Sequence, residues 1–520
     1  MEKRVAIIGA GASGLVACKY CLKKGFKPII FEADSRIGGV WAHTLDSTRL
    51  QNTKQVYQFS DFPWHPSVTD VHPTHSQVLD YLESYARHFG ILSCISFNSR
   101  VIGIDYVGES FEEMKSWDLF GGTGQAFGSK GKWHIKVQDT KNSEIKDYEV
   151  EFVILCIGQF SGLPNIPEFP EKEGPEVFKG KVMHSMEFSA SKNLGTCKFV
   201  RGKKVAVIGS HKSAVDIAAE CANINGSKYP CAMVQRSAHW FLPSGYLSGL
   251  LVGFLYRSRF AEILVHKPGE TVLYSLLATL LSPLRWGISK IMENYIRWKF
   301  PLKKHGMLPK LNFSDDMSSC QISMLPDKFF DKVEEGSIII VNNSQSFRFY
   351  KEGLIIDGQK QQYLQTDLVI FATGFKSEEK LKNIFSSSVF QDWIKATSPD
   401  LLYRRILNPR IPQMPIVGYS ESFSHLGSCE MQSLWLANFL DGNIELPCIR
   451  DMEKEAKMWT NKIKQSIGHY YKRACINNII IWYNDQLCKD LGYKSKRKNG
   501  IFADLFTPYA PADYATNLTH

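Results

Sequence analysis

The sequence predicts an α/β protein with two Rossmann-like dinucleotide-binding domains, the second inserted into the first. Three observations carry this prediction. A strand, glycine turn, helix and strand occupy residues 4–32, a second unit of the same design occupies residues 203–236, and their starts lie about 200 residues apart. Each unit reads as a βαβ motif, and that separation is too long for two halves of one sheet but suits a domain inserted into another. The expected boundaries are 1–174 for the first part of the outer domain, 175–325 for the insert and 326–520 for the second part, which ends in a helical extension. The strand-like run 368–371, with Ala372-Thr-Gly-Phe375 behind it, is expected to return the chain to the outer domain.

In the first unit a β-branched run at 4–8 leads into Gly9-Ala-Gly-Ala-Ser-Gly14. Gly9 permits the bend, Gly11 lets a pyrophosphate approach the backbone, and Gly14 lets the helix pack closely on the sheet. Ala10, Ala12 and Ser13 complete the turn, whose helix N-terminus offers free N–H groups and partial positive charge to phosphates. Glu32 closes the unit at the end of its second strand, where a carboxylate accepts hydrogen bonds from a ribose diol.

The second unit departs from this pattern. Its turn is Gly209-Ser-His-Lys-Ser-Ala214. Ala214 is an accepted substitute for the third glycine. His211 stands where the second glycine would be and is expected to crowd a pyrophosphate unless the turn shifts, with Lys212 compensating as a cation. Ser210 and Ser213 complete the turn. Gln235-Arg236 occupies the place of the acid that would select NADH; Arg236 can pair with a 2′-phosphate that a carboxylate would repel, so the turn predicts NADPH.

Composition sets the remaining bounds. The 520 residues are 44% apolar and 22% charged, ordinary values for a folded globular chain. The net charge of +10 is compatible with anionic ligands and does not single out nucleic acid. The one dense basic run, Lys494, Lys496, Arg497 and Lys498, reads as a solvated face rather than a targeting or polyanion-binding patch. No secretory signal is visible at the N-terminus, so a cytoplasmic location is expected, and the twelve cysteines, which lack disulfide-framework spacing, read as reduced thiols. The most apolar stretches, 241–256 and 271–284, are too short to span a membrane. They read as buried core, with membrane-surface contact or a substrate-channel wall as alternatives. Nothing in the sequence selects an oligomeric state.

At Phe178-Lys-Gly-Lys-Val-Met-His184-Ser-Met-Glu-Phe188 the chain resembles the FxGxxxHxxx(Y/F) signature of flavin-containing monooxygenases, through Phe178, Gly180, His184 and Phe188. Ile37-Gly-Gly-Val-Trp41 resembles that family's second flavin-contacting loop, Ser60-Asp-Phe-Pro-Trp64 its Asp-Phe-Pro segment, and Ala372-Thr-Gly374 its late motif near the flavin. The similarity runs from about residue 4 to about residue 440. The segments Gly418-Tyr-Ser-Glu-Ser422 and Tyr483-Asn-Asp-Gln-Leu-Cys-Lys-Asp490 look most like the plant branch, which includes pipecolate N-hydroxylating enzymes.

The resemblance implies FAD at the first turn and NADPH at the second. It implies a cycle in which NADPH reduces FAD, the flavin forms a C4a-hydroperoxide with O2, and a soft nucleophile takes the distal oxygen. The substrate class is then an amine, an amino acid such as pipecolate, or a thioether, for N- or S-oxygenation. An NADPH oxidase or a disulfide reductase of the two-dinucleotide-domain class is the alternative. In such a site the cofactor supplies the hard chemistry and the protein supplies position and shelter from water. Cofactor contacts are expected from Gly39, Val40, Trp41, Asn52, Thr53, Thr373 and Gly374 as well as the two turns. Asn52 is the candidate catalytic donor, since its amide can both donate and accept. His184 is expected to tie the linker between the domains rather than move a proton. Arg257, Arg259, Arg285 and Arg297 are the cations available to a substrate carboxylate.

Two further signals are assigned to packing. Cys18-Lys-Tyr-Cys21 lies inside the first helix, where small thiols pack well on a sheet. His65, His72 and His75 stand in a loop without the cysteines or supporting groups of a metal site.

Overall fold

The chain, described by a computed structural model over residues 3–191, 196–244, 252–342, 346–358, 361–397, 402–468 and 474–517, is built on two parallel sheets. The first contains β1 (Arg4–Ile8), β2 (Lys27–Phe31), β3 (Ile95–Ser96) and β4 (Phe152–Leu155) in the order β3-β2-β1-β4. All its pairings are parallel. β4, Phe-Val-Ile-Leu, is buried at every position, as a strand covered on both faces must be. The segment 413–417 extends this edge: Val153 and Leu155 donate to the carbonyls of Gln413 and Pro415, and Val417 donates back to Leu155.

The second sheet contains β5 (Lys181–His184), β6 (Val205–Ile208), β7 (Cys231–Val234), β8 (Ile338–Val341) and β9 (Leu368–Phe371) in the order β8-β7-β6-β9-β5, also parallel. This corrects the expected end of the insert near residue 325 and the expected return at 368–371. β8 and β9 both belong to the second sheet, and Leu368–Phe371 pairs with β5 and β6. The chain rejoins the first sheet only at 413–417. A short apolar strand is equally at home in either sheet, so the sequence could not say which one it completes.

Antiparallel three-stranded sheets flank each layer, at Ser99–Val107, Lys132–Asp139 and Ile145–Val150 and again at Ser346–Tyr350, Gly353–Asp357 and Gln362–Gln365. The helices include α1 (Ala12–Lys23), α2 (Lys212–Asn225), α3 (Val272–Leu280), α4 (Ser282–Lys299), α5 (His425–Leu440), α6 (Ile449–Ile467) and α7 (Ile480–Asp490). α5 is buried at every residue after His425 and packs on α1 and α7, so its polar side chains must find partners inside the protein. Its Glu430 carboxylate accepts from the amide of Ser60, the hydroxyl of Tyr20 and the ammonium of Lys19, which also bonds Asp61 at 2.7 Å. Burial raises the Glu430 carboxyl, with Lys19 opposing it. The Ser60-Asp-Phe-Pro-Trp64 segment is thus pinned to α1 and α5 by a buried charge cluster.

Two more expectations are corrected. Residues 271–284 are not core: among the residues of α3 only Ala278 is buried. Of the stretch 241–256, Phe241 and Leu242 are buried, Phe254 is exposed, and 245–251 lie outside the described residues. The cysteines are not all free thiols either, because Cys320 and Cys475 form a disulfide. The two positions are 155 residues apart and only the fold brings them together. Cys18 and Cys21, by contrast, are buried and unpaired on α1, and burial raises both thiols, Cys21 to about 12.

Candidate cofactor site between the two sheets

The first turn has the geometry its glycines predict. Gly9 sits at φ +104°, and a Cβ there would lie 2.7 Å from the Cys156 carbonyl oxygen. A Cβ on Gly14 would lie 1.9 Å from the Gly9 carbonyl oxygen, so helix and strand touch there. α1 starts at Gly11 with no side-chain cap, which leaves the amides of Ala12, Ser13 and Gly14 directed out of the helix end. Glu32 accepts from the amide of Ala10 at 2.6 Å and from that of Asp34 at 2.9 Å. Its carboxylate therefore stands at the turn, where a ribose would meet it.

The loop predicted as a second flavin contact lies against this turn. The Gly38 amide donates to the Ala10 carbonyl, and Gly11 and Gly39 face each other, a Cβ on Gly11 falling 3.6 Å from the Gly39 Cα. Val40 is exposed, while Trp41 donates its indole N–H to the Tyr57 hydroxyl at 2.7 Å. Asn52 donates its amide to the Phe423 carbonyl at 2.6 Å. Thr53 is half-buried and its carbonyl accepts from Val56 and Tyr57.

The second turn solves its histidine problem sideways. Gly209 sits at φ +148°, and a Cβ there would lie 2.5 Å from the Ala372 carbonyl oxygen. The His211 ring stacks on His239 with centroids 3.9 Å apart and its Nε2 lies 2.5 Å from Gln321 Oε1, which carries the ring to the flank of the helix start. α2 has no side-chain cap at His211, and Ala214 is buried while Ser213 is exposed and Ser210 half-buried. Lys212 does not extend forward as expected. Its ammonium turns back one helical turn to Asp216 at 2.7 Å. The reason is the Asp216 carboxylate, fully enclosed and raised by burial, for which Lys212 and Thr48 supply the compensating contacts. Arg236 is exposed and has no carboxylate partner among the described residues, while its neighbour Gln235 is buried against Asn342.

The loop 39–52 connects the two turns. It begins at Gly11, its helical turn Gly39–His43 touches Ser185–Ala190 of the second domain, and Leu45 enters the second core. Thr48 donates to Asp216 at 2.7 Å, and Gln51 accepts from the Met324 amide at 3.2 Å. Both uncapped helix starts therefore border one interface.

Thr373 and Gly374 lie on the linker between the sheets. The Thr373 hydroxyl donates to the Asn165 carbonyl and the Asn165 amide donates to Gly374, which sits at φ +84°. His184 joins this linker: Nδ1 accepts from the Met186 amide at 3.2 Å, and Nε2 lies 3.0 Å from the Gly374 carbonyl. A neutral imidazole meets both demands, and burial lowers its proton affinity accordingly. Lys380 packs below, donating to Ile157 and Ser161; burial pulls its ammonium down to about 8, opposed by Glu32.

Sequence reasoning missed several members of this arrangement. Gly418, at φ +80°, lies against Ser13, where its Cβ would fall 2.8 Å from the serine Cβ, and its amide donates to Gln432. The glycine in Gly418-Tyr-Ser-Glu-Ser422 was the available signal. Thr48 and Gln321 carried none, because each matters through a partner more than a hundred residues away, and Asp216 gains its weight from Thr48 at the same distance as well as from Lys212 one turn earlier. Among the arginines, Arg259 is committed to Asp485 and Asp504, and Arg297 pairs with Glu293. Arg257 is half-buried, and loss of hydration draws it down to about 10, while Arg285 bonds Ser314 and Ser318. The three loop histidines have separate partners, Ser67 for His65, the Asn52 carbonyl for His72 and Asp46 for His75.

Residues 2–505 match the family model described as flavin-binding monooxygenase-like. The chain is 38% identical over 519 residues to a probable flavin-containing monooxygenase 1 of Arabidopsis thaliana, covering 99% of this chain and 96% of that protein. Its fold is similar to that of S-allyl-L-cysteine S-oxygenase from Allium sativum, with a TM-score of 0.55 at 20% identity over 95% of this chain and 89% of the other. It is also similar to OTEMO in complex with FAD and NADP, with a TM-score of 0.59 at 17% identity over 88% and 89% of the two chains.

Proposed function

The chain belongs to the flavin-binding monooxygenase-like family, in its plant-type branch, and from that premise we propose that it oxygenates a soft nucleophile, an amine or amino-acid nitrogen or a thioether sulfur. It is an FAD-containing, NADPH-dependent monooxygenase. When bound, FAD supplies O2 reduction and oxygen-atom delivery, and NADPH supplies the hydride. The observation that carries the reading is the loop 39–52, which runs from Gly11 of one glycine turn to Asp216 beside Lys212 of the other.

The protein's own residues then have definite work. The bare amides at the start of α1 and the Gly9–Gly14 backbone receive the FAD pyrophosphate, and Glu32 exchanges its Ala10 contact for a ribose hydroxyl. The start of α2 receives the NADPH pyrophosphate, and Arg236 receives the 2′-phosphate. Trp41 and Tyr57 hold the loop that covers the cleft. Asn52, fixed by one amide hydrogen to Phe423, keeps a second hydrogen and its carbonyl oxygen for the reacting groups. The linker that includes Thr373 and Gly374 sets the spacing of the two domains.

A nitrogen nucleophile is favoured, with pipecolate as one member of that class; the S-oxygenating activity in the name of the Allium sativum structure makes the thioether class the parallel case. The test is oxygen transfer from labelled O2 across cyclic amino acids, simple amines and thioethers. One labelled oxygen in the product per NADPH consumed supports the proposal. Full conversion of NADPH to H2O2 with every class would replace it with an oxidase. Asn52→Ala is expected to retain FAD and raise the ratio of H2O2 to product; an unchanged ratio would remove Asn52 from the chemistry.

A further inference from the structure

We propose that the hairpin formed by α3 and α4 is a docking surface that seats this protein on an anionic lipid bilayer. α3, Val-Leu-Tyr-Ser-Leu-Leu-Ala-Thr-Leu, contains no charged residue. Val272 is 87% exposed, Leu273 63%, Leu276 54% and Leu280 65%. A short uncharged helix this rich in leucine belongs in a core or against lipid, and of this one only Ala278 is buried. α4 continues the surface. Leu284, Ile291 and Trp298 recur at seven-residue spacing on its solvent side, Trp286 lies on a different flank of the helix, and all four are exposed. The opposite side of α4 is fixed in the protein through the buried Met292, Glu293 and Ile296. One face of the hairpin is thus anchored and the other is left bare, far beyond the scattered apolar residues of an ordinary surface.

Charge identifies the occupant. Beside the start of α3 an open basin of about 740 Å³ lies between the turn 267–270 and α6. Arg450, Lys454, Lys457 and Lys462 line it from α6 together with Glu453, and Lys267 and Glu270 face them from the turn. Gly269 abuts Met458, so the cationic side of α6 adjoins the apolar helix. Arg450, Lys454 and Lys457 have no ion-pair partner among the described residues. An apolar face fringed by lysine and arginine and carrying tryptophans matches an anionic headgroup layer: the rings settle at headgroup depth and the cations meet the phosphates. No helix among the described residues is long and apolar enough to cross a membrane, so the hairpin lies in the plane of the interface.

The test uses the FAD-loaded full chain in flotation with phosphatidylcholine vesicles, with and without phosphatidylserine. The protein is expected to float with phosphatidylserine vesicles and more weakly with phosphatidylcholine alone. Leu273→Glu combined with Leu276→Glu should lower the bound-to-free ratio by about tenfold or more, since two exposed leucines that would enter the bilayer are replaced by charges, while FAD content and melting temperature stay unchanged. Lys454→Glu with Lys457→Glu should abolish the preference for phosphatidylserine. Wild-type protein that stays with neither vesicle, or a leucine variant that floats like wild type, would overturn the proposal. So would a dimer in sedimentation that the leucine variant dissolves while vesicles capture neither form.

Discussion

Thr48 donates its hydroxyl to Asp216 at 2.7 Å, across the boundary between the two nucleotide domains. Asp216 is buried and also holds Lys212, the residue at the start of α2. One carboxylate therefore fixes the flavin-side loop and the second helix start together. Thr48→Val removes a single buried hydrogen bond and should cost about 1 kcal/mol of stability. Asp216→Asn leaves the Lys212 ammonium without its counter-ion and should cost about 3 kcal/mol. Thermal unfolding measures both. The valine variant should also raise the KM for NADPH, because the α2 start loses its tether.

Arg236 is expected to set cofactor choice. An arginine–phosphate contact contributes about 1.5–3 kcal/mol, so Arg236→Ala should weaken NADPH by about ten- to a hundredfold and leave NADH nearly unaffected. Steady-state KM values for the two cofactors decide it, and equal losses would place the 2′-phosphate elsewhere.

His184 gives the linker a pH dependence. Burial lowers its folded-state proton affinity below the ordinary value of 6.5. The unfolded chain then binds more protons than the folded one, so this contribution is complete above about pH 6.5 and is lost as pH falls below it. The melting-temperature difference between wild type and His184→Asn should therefore narrow from pH 7 to pH 5. A difference that widened would show that the imidazolium is the form the fold prefers.

The Cys320–Cys475 disulfide closes a long loop between the insert and the segment that pairs with Glu421. Cys320→Ser with Cys475→Ser should destabilise the protein by about 5 kcal/mol, in line with the loop-closure entropy of a bridge of this span. Reductant should reproduce the loss in wild type and have no further effect on the variant.

Local chemistry made much of this arrangement legible. Gly9, Gly14 and Glu32 act within one βαβ unit, so their spacing alone implied the turn that the structure shows. Arg236 follows the returning strand of the second unit for the same reason, and stands exposed there. What the sequence withheld was long-range. β9 reads as a strand, yet nothing in Leu-Val-Ile-Phe says that it joins β5 and β6 rather than β1. Lys212 looked like a phosphate ligand until Asp216 and Thr48 were seen around it. The hydrophobicity of α3 was plain, but hydrophobicity does not state whether protein covers a helix, and here protein does not.

The shared interface of the two nucleotide sites is tested most directly by anaerobic mixing of the FAD-loaded protein with NADPH deuterated at the transferring carbon. Flavin bleaching with a primary isotope effect is the predicted result, since the loop 39–52 touches both helix starts and the two bound cofactors would then lie close enough for direct hydride transfer. A flavin that stays oxidised, or one that bleaches with no isotope effect under any mixing order, would contradict it.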